Sequence, residues 1–283
     1  LIMAHHDRAG LARLIEALLP PGAPDLVLVH VDARSSLRAD LATNPLPPDP
    51  RVHVLADPIR VIWGHWSQVE AARRLMAAAL KQGCDFAHML SGVDWPAVDR
   101  ARILADIEAA PAGTCFVEAM PMVQEDRMQG YRLDTRWLRL DPQRDRLAYA
   151  ATWELRRLSR LGQGLADRLG LLRSRPFGAW HKGSCWWSLP AGALAQAEQD
   201  LRQLLASGRL RGTVCADEHA LPTVIAHRFA GLIAPNRRYI DFPPGASSPR
   251  ALTRDDLPAI RASKAWFVRK VDAGLDPFFL ELP

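Results

Sequence analysis

Lysine is scarce in this 283-residue chain: only Lys81, Lys182, Lys264 and Lys270 occur, so nearly all of its 36 basic residues are arginines. Cysteine is scarce as well. Cys84, Cys115, Cys185 and Cys215 form no C-x-x-C pair and lack histidines at zinc-finger spacing, which argues against a disulfide framework or a structural zinc and fits a reduced, intracellular compartment. No apolar run reaches the roughly eighteen residues of a membrane span, and residues 1–7 lack the basic and small-residue regions of a signal peptide. The chain opens at Leu1 inside an apolar run and without a methionine, so a short preceding piece is expected. A soluble, cytoplasmic protein is the expectation, with peripheral membrane association left open.

Two nucleotide signatures are missing. There is no G-x-x-x-x-G-K-[ST], and Gly162, Gly164 and Gly170 do not form a G-x-G-x-x-G after a strand, which removes P-loop ATPases and dinucleotide dehydrogenases. No D-x-D occurs either. Many sugar-nucleotide transferases use that pair to hold a divalent ion on the diphosphate, so here something else would have to neutralise the phosphates.

What is present is an ordinary globular balance of 48% apolar and 24% charged residues, in a chain long enough to hide about three quarters of its unfolded surface. The net charge is +5. The arginines are interleaved with Asp and Glu rather than gathered in a tract, which favours a local phosphate pocket over a nucleic-acid groove.

The first half alternates β-branched runs with amphipathic segments, the pattern of an α/β fold with a mainly parallel sheet. Strands are expected over 1–4, 26–31, 52–55, 86–90 and 115–118, with a short extended piece at 61–63. Helices are expected over 9–18, over 67–80 with Ser67 and Glu70 as a capping box, and after Asp99 through Ile107. The second half is less regular: a basic helical stretch 153–172, an apolar stretch 184–189, helices over 191–205 and 217–226, and a strand over 238–242. The tail 252–283 reads as helix and loop. Neither proline-rich loop, 45–50 or 243–249, is long enough to separate free domains. One domain over 1–283 is expected, with a nucleotide-binding half, 1–120, and an acceptor and catalytic half, 121–283.

In open α/β sheets ligands bind at the carboxyl ends of strands. Three such ends carry polar and aromatic residues: His30-Val31-Asp32, Trp63-Gly64-His65-Trp66, and Ser91-Gly92-Val93-Asp94-Trp95-Pro96. Acids there can accept from a base or ribose, and an aromatic can stack on a base. Taken singly, Asp32 and Asp94 read better as turn or cap residues, and it is the three strand ends together that favour a ligand site. His5, His6 and Asp7 suggest a metal site by residue type, but neighbours on a strand face opposite ways, so a loop-entry pair is the better reading. Glu218 reads as an N-terminal helix acid favoured by the dipole. Trp186 and Trp187 put one ring on each face of a strand, either buried or open to a sugar.

Seven stretches in order, Ala4-His5-His6-Asp7, His30-Val31-Asp32, Arg60 to Ser67, Leu90 to Pro96, Gly183 to Leu189, Asp217-Glu218 and Phe267 to Asp272, resemble the core-2/I-branching β-1,6-N-acetylglucosaminyltransferases and the related peptide O-xylosyltransferases, bacterial members above all. The resemblance spans nearly the whole chain. It implies a glycosyltransferase-A type fold that works without a metal or other cofactor, with a UDP-sugar as donor, a glycan or other hydroxyl as acceptor and no nucleic-acid partner. It also implies roles for residues: Glu218 as the catalytic carboxylate, Asp32 on the uridine, Trp63 near the base, Asp94 at the donor site, and Lys270 on the diphosphate. A preceding arginine joins Lys270, Arg250 beside Ser247-Ser248-Pro249, with Arg237 and Arg238 as alternatives. Arg127, Glu118 and Trp187 fall at acceptor contacts. The donor sugar stays open between GlcNAc, which is favoured, and xylose, and a non-catalytic sugar-nucleotide binder is the alternative of another class.

Overall fold

The strand Val27–Val31 is buried at every position, as a strand must be when both faces of its sheet are covered. In the computed structural model, which describes the chain apart from residues 123–125, 131, 141–144 and 247, it is an inner strand of a wholly parallel four-stranded sheet. The order is Val52–Val54, Val27–Val31, Ile2–Ala4, Leu90–Ser91. Helices Arg8–Leu18, Ser36–Thr43 and Ser67–Lys81 follow the first three strands in chain order, the β-α alternation that a parallel sheet requires. The expected α/β class with a mainly parallel sheet flanked by helices is the observed one.

Residues 86–90, expected as one strand, stay extended but change partners at Met89. Phe86–His88 runs antiparallel to Ser188–Pro190, whereas Leu90–Ser91 runs parallel to Ile2–Ala4. The Met89 N–H is bonded to the Trp187 carbonyl at 2.9 Å. A second, mixed sheet follows, in the order Ile233–Ala234, Cys115–Phe116, Ser188–Pro190, Phe86–His88. It interleaves strands from 1–120 with strands from 121–283, so the two halves share one framework.

The tail is mostly helix and loop, as its sequence suggests, but one short piece of it is built into a sheet. Phe267–Arg269 is the middle strand of a third sheet, parallel to Arg238–Ile240 and antiparallel to Asp94–Pro96. Trp266, fully buried at its head, packs on Phe116 with ring centroids 4.5 Å apart and donates Nε1–H to Asp106 at 2.9 Å. Three residues are too few to show a period in the sequence, and burial by the neighbouring strands makes this one.

Local signals at helix starts are kept at one place and overruled at another. Asp99 caps Arg100–Glu108 by accepting the Arg102 N–H at 2.7 Å. Ser67 makes no capping box. Its Oγ accepts the Ile62 N–H at 2.9 Å, and Glu70 is taken by Arg73 and Arg74. Residues 61–63 are therefore loop rather than strand, pinned from below by a helix residue. Beneath the sheets lie two cores. One joins Ser67–Lys81 to Ala191–Ala206 through Leu75, Met76, Leu194 and Leu201, and the other gathers Leu11, Val29, Leu90, Phe267 and Phe278.

Burial should decide the cost of losing a leucine. Leu189, with none of its surface exposed, should lose about 2–5 kcal/mol of stability on truncation to alanine, whereas Leu161→Ala on an exposed helix face should stay within about 0.5 kcal/mol. Urea denaturation of both variants checks this, and equal losses would place Leu161 in the interior.

Candidate active site

The region around Glu218 differs from the helix its sequence suggests. Ala216–Glu218 is a single 3-10 turn, and the helix Ala220–Arg228 starts after it. Two backbone bonds fix the turn: Cys215 N–H to the Gly64 carbonyl at 2.9 Å, and Gly183 N–H to the Glu218 carbonyl at 2.8 Å. Gly183 is required by space. A Cβ there would lie 1.7 Å from the Glu118 carbonyl oxygen, so only glycine lets the two acidic segments approach.

Burial pushes the Glu218 carboxyl above the usual carboxylate range and Glu118 adds to this, while Lys182 and Arg127 pull the other way. Arg127 Nη1 stands 4.0 Å from Glu218 Oε2, with both side chains partly exposed. At that separation the carboxylate is attracted without being tied up, and it keeps lone pairs for an incoming hydroxyl.

Asp217, its neighbour, faces inward. Its Oδ1 is sealed from solvent and has no hydrogen-bond partner among the described residues, and its Oδ2 accepts Gln68 Nε2–H at 3.1 Å. Both residues line a cavity of about 20 Å³ with Cys185 and Trp187. Burial first, and the charge of Glu218 second, push the Asp217 carboxyl up to about 7. Gln68 Oε1 in turn accepts the Gly64 N–H at 2.5 Å, and Gly64 has the left-handed φ of 65° that suits glycine. One side chain thus ties the Trp63 loop to the Glu218 turn. No motif singles out Gln68, and its signal in the sequence is its place one and two turns before Ala72, Leu75 and Met76 on the buried stripe of its helix.

Asp32 stands at the end of Val27–Val31. Its Oδ1 accepts the Arg34 N–H at 2.8 Å and its Oδ2 the Val61 N–H at 3.1 Å, so it shapes its own turn and the next loop while each oxygen keeps a lone pair. Trp63 on that loop is 57% exposed, open for stacking. Asp94, only 1% exposed, accepts from the Ser91 N–H at 2.9 Å, the Ser91 hydroxyl at 2.7 Å and Arg269 Nη1 at 2.7 Å. These bonds hold Asp94, expected at the donor site, inside the protein. The Arg269 guanidinium also lies over the Trp186 ring at 4.2 Å. The resemblance gives Arg269 no role, and its position beside Lys270 is the signal that points to one.

Lys270 Nζ–H donates to Ser248 Oγ at 2.5 Å, while Ser247 lies outside the described residues. Arg250, on the same loop, is held between two acids, donating to Asp241 at 2.5 Å and to Asp256 at 2.5 and 2.9 Å. The alternatives sit elsewhere. Arg238 is interior, donating to the Trp187 carbonyl at 2.9 Å and Ser188 Oγ at 3.0 Å, and burial lowers its guanidinium to about 9. Arg237 lines a separate cavity of about 300 Å³ with Asp106 and Phe116. Arg250 is the candidate of the three that shares a loop with the partner of Lys270.

On the acceptor side Glu118 and Arg127 come together around Glu218, but Trp187 does not. It is 2% exposed inside the first core, and Trp186 beside it is buried under Arg269, so Trp187 cannot meet an acceptor. The adjacency of two tryptophans signals burial on both faces of the segment. His5 and His6 are exposed in a loop, and among the described residues no three His, Cys, Asp or Glu side chains converge as a metal cage.

The family model of the core-2/I-branching enzymes matches residues 1–261. The chain belongs to that family, and is a glycosyltransferase. None of the curated proteins matches it in sequence. Among solved structures, mouse xyloside xylosyltransferase 1 in its apo form aligns at 13% identity and TM-score 0.37, covering 94% of this chain and 95% of that one. A 4-diphosphocytidyl-2C-methyl-D-erythritol synthase aligns at 14% identity and TM-score 0.34, covering 77% and 89%.

The two adjacent acids make a prediction about pH. Below 3.8, the ordinary value of Asp217, folded and unfolded chains both hold its proton; between there and about 7 only the unfolded chain has lost it, so stability falls as pH rises and the loss is complete above about 7. Asp217→Asn, which mimics the protonated acid, should therefore leave stability near pH 4 unchanged and raise it at pH 8 by a few kcal/mol, at about 1.4 kcal/mol for each pH unit separating the folded from the unfolded titration. Urea denaturation at both pH values reads this. A variant less stable than the parent at pH 8 would mean that Asp217 is ionised and paired.

Proposed function

We propose that the chain moves a sugar, GlcNAc by preference, from a UDP-sugar to a hydroxyl of a glycan or similar acceptor, with inversion, without a metal ion and on a glycosyltransferase-A type fold. The observation that carries this reading is Glu218, a part-exposed carboxylate raised by burial and faced at 4.0 Å by Arg127. A base of raised pKa takes a hydroxyl proton more readily near neutrality, and general-base catalysis as a whole is worth about a hundred- to ten-thousand-fold. Xylose is the alternative donor sugar.

In this scheme Asp32 accepts from the uridine and Trp63 stacks on its base. Glu218 removes the acceptor proton as the acceptor oxygen attacks the anomeric carbon, and the bond from that carbon to the diphosphate breaks. An α-linked donor gives a β-linked product in one displacement, with no sugar bound covalently to the protein. The charge that develops on the departing UDP is met by the point charge of Lys270 in place of a metal, and by Arg250 once its guanidinium leaves the Asp241 and Asp256 carboxylates that hold it. Arg269, fixed by Asp94 and Trp186 one residue before Lys270, adds to the field there. The absence of any D-x-D and these cations support the metal-free reading, and the polar corner of Glu118, Lys182 and Arg127 supports a hydroxyl-bearing acceptor.

Two variants separate catalysis from binding. Glu218→Gln keeps the size and hydrogen bonding of the side chain but takes no proton, so turnover should fall about a hundredfold or more while UDP affinity barely changes; near-parental turnover would move the base elsewhere. Lys270→Ala should weaken UDP while leaving uridine unaffected, since a diphosphate contact acts only where the phosphates are present. Calorimetry with uridine, UMP and UDP measures this, and equal weakening of all three would signal a folding defect instead.

A further inference from the structure

Leu158, Leu161, Leu165 and Leu169 recur at intervals of three or four along and just past the helix Trp153–Arg168, which places them on one stripe. Each is between 59% and 63% exposed. The helix packs with another side, where Leu155, Ser159 and Ala166 are shielded. On the turn of the helical wheel next to the leucines stand Arg157, Arg160 and Arg168, all exposed. Leu147, Trp153, Leu171 and Leu172 on the same segment are exposed as well.

Charge identifies the occupant of this face. Residues 146–175 hold seven arginines against two acids, Glu154 and Asp167. That excess of five equals the net charge of the whole chain, so the remaining residues balance and the positive field belongs to the leucine-bearing segment. A second copy of the chain would bring the same charge to the contact and be repelled. Nucleic acid would match the arginines but leave the leucines in water.

We propose that residues 146–175 dock the protein on an anionic lipid bilayer, the leucine stripe entering the boundary between headgroups and acyl chains and the flanking arginines reaching back to lipid phosphates. The helix lies on the surface. No helix among the described residues is long and apolar enough to cross a membrane. The Arg173 N–H is bonded to the Gln129 carbonyl at 3.0 Å, which ties this segment to the short helix Asp126–Gln129 that carries Arg127, so docking anchors the side of the cleft where Arg127 faces Glu218. Docking itself does not depend on the chemistry at Glu218.

Co-sedimentation of the full chain with vesicles of phosphatidylcholine alone, and of phosphatidylcholine mixed with phosphatidylglycerol, tests this. The chain should pellet with the anionic vesicles, less so as salt rises, and hardly at all with the neutral ones. The double variant Leu161→Glu with Leu165→Glu should lower partitioning about tenfold or more, and Arg157→Glu with Arg160→Glu and Arg168→Glu should abolish the preference for anionic lipid. Melting curves matching the parent show that these exposed changes leave the fold intact, and calorimetric titration with UDP provides a second check that each variant is native. A chain that stays in solution with both vesicle types, or a leucine variant that is folded and binds like the parent, would overturn the proposal. So would a parent dimer in sedimentation equilibrium that the leucine variant dissociates, in the absence of vesicle binding.

Discussion

The backbone contact at Gly183 is the constraint on which the site depends. Its N–H holds the Glu218 carbonyl at 2.8 Å, and the Glu118 carbonyl occupies the space where a side chain would stand. Directly before it, His181–Lys182 pairs antiparallel with Met120–Pro121, which carries Lys182 to the same corner. One residue without a Cβ therefore sets the spacing of two acids and a lysine. A methyl group at 1.7 Å from a carbonyl oxygen cannot be absorbed by a rotamer change, because both partners are backbone. The second fixed point is the Gly64 carbonyl, which accepts from Cys215 at the start of the Glu218 turn.

Within that frame, environment divides residues that sequence places side by side. Glu218 keeps partial exposure and two cations, while Asp217 is turned into the interior and held up to about 7 by burial. Two ionised carboxylates so close would repel, and burial of one relieves the other. Arg269 and Lys270 repeat the division. Arg269 is matched by Asp94 under the Trp186 ring, whereas Lys270 reaches a serine on an outer loop. Removing Asp94 would leave a largely buried guanidinium unmatched, which costs far more than the pair contributes. Arg269 is thus fixed within the sheet, whereas Lys270 stands outside it.

Much of this is legible in the residues. The buried strand Val27–Val31 follows from an apolar run interrupted only by His30, the helix Ala191–Ala206 from its period, and the cap at Asp99 from its residue type. The Glu218 region is found by resemblance, since on its own an acid at a helix start says little. Other features are not legible, for physical reasons. The partner change at Met89 and the strand Phe267–Arg269 are imposed by distant segments, and short runs carry no period. Ser67 bonds a preceding loop instead of its own helix because Ile62 offers its N–H within reach. Trp187 and Asp94 look like ligand contacts because aromatic and acidic residues at strand ends serve both roles, and only burial separates them.

The most direct test of the account is the stereochemistry of a single turnover in the presence of excess EDTA. Purified chain, UDP-GlcNAc with the natural α linkage and a panel of hydroxyl acceptors would be followed by proton NMR, reading the anomeric coupling of the first product. A β-linked product, formed at the same rate with and without EDTA, is the result this account requires. An α-linked product, or transfer that stops with EDTA and returns on adding manganese, would contradict it.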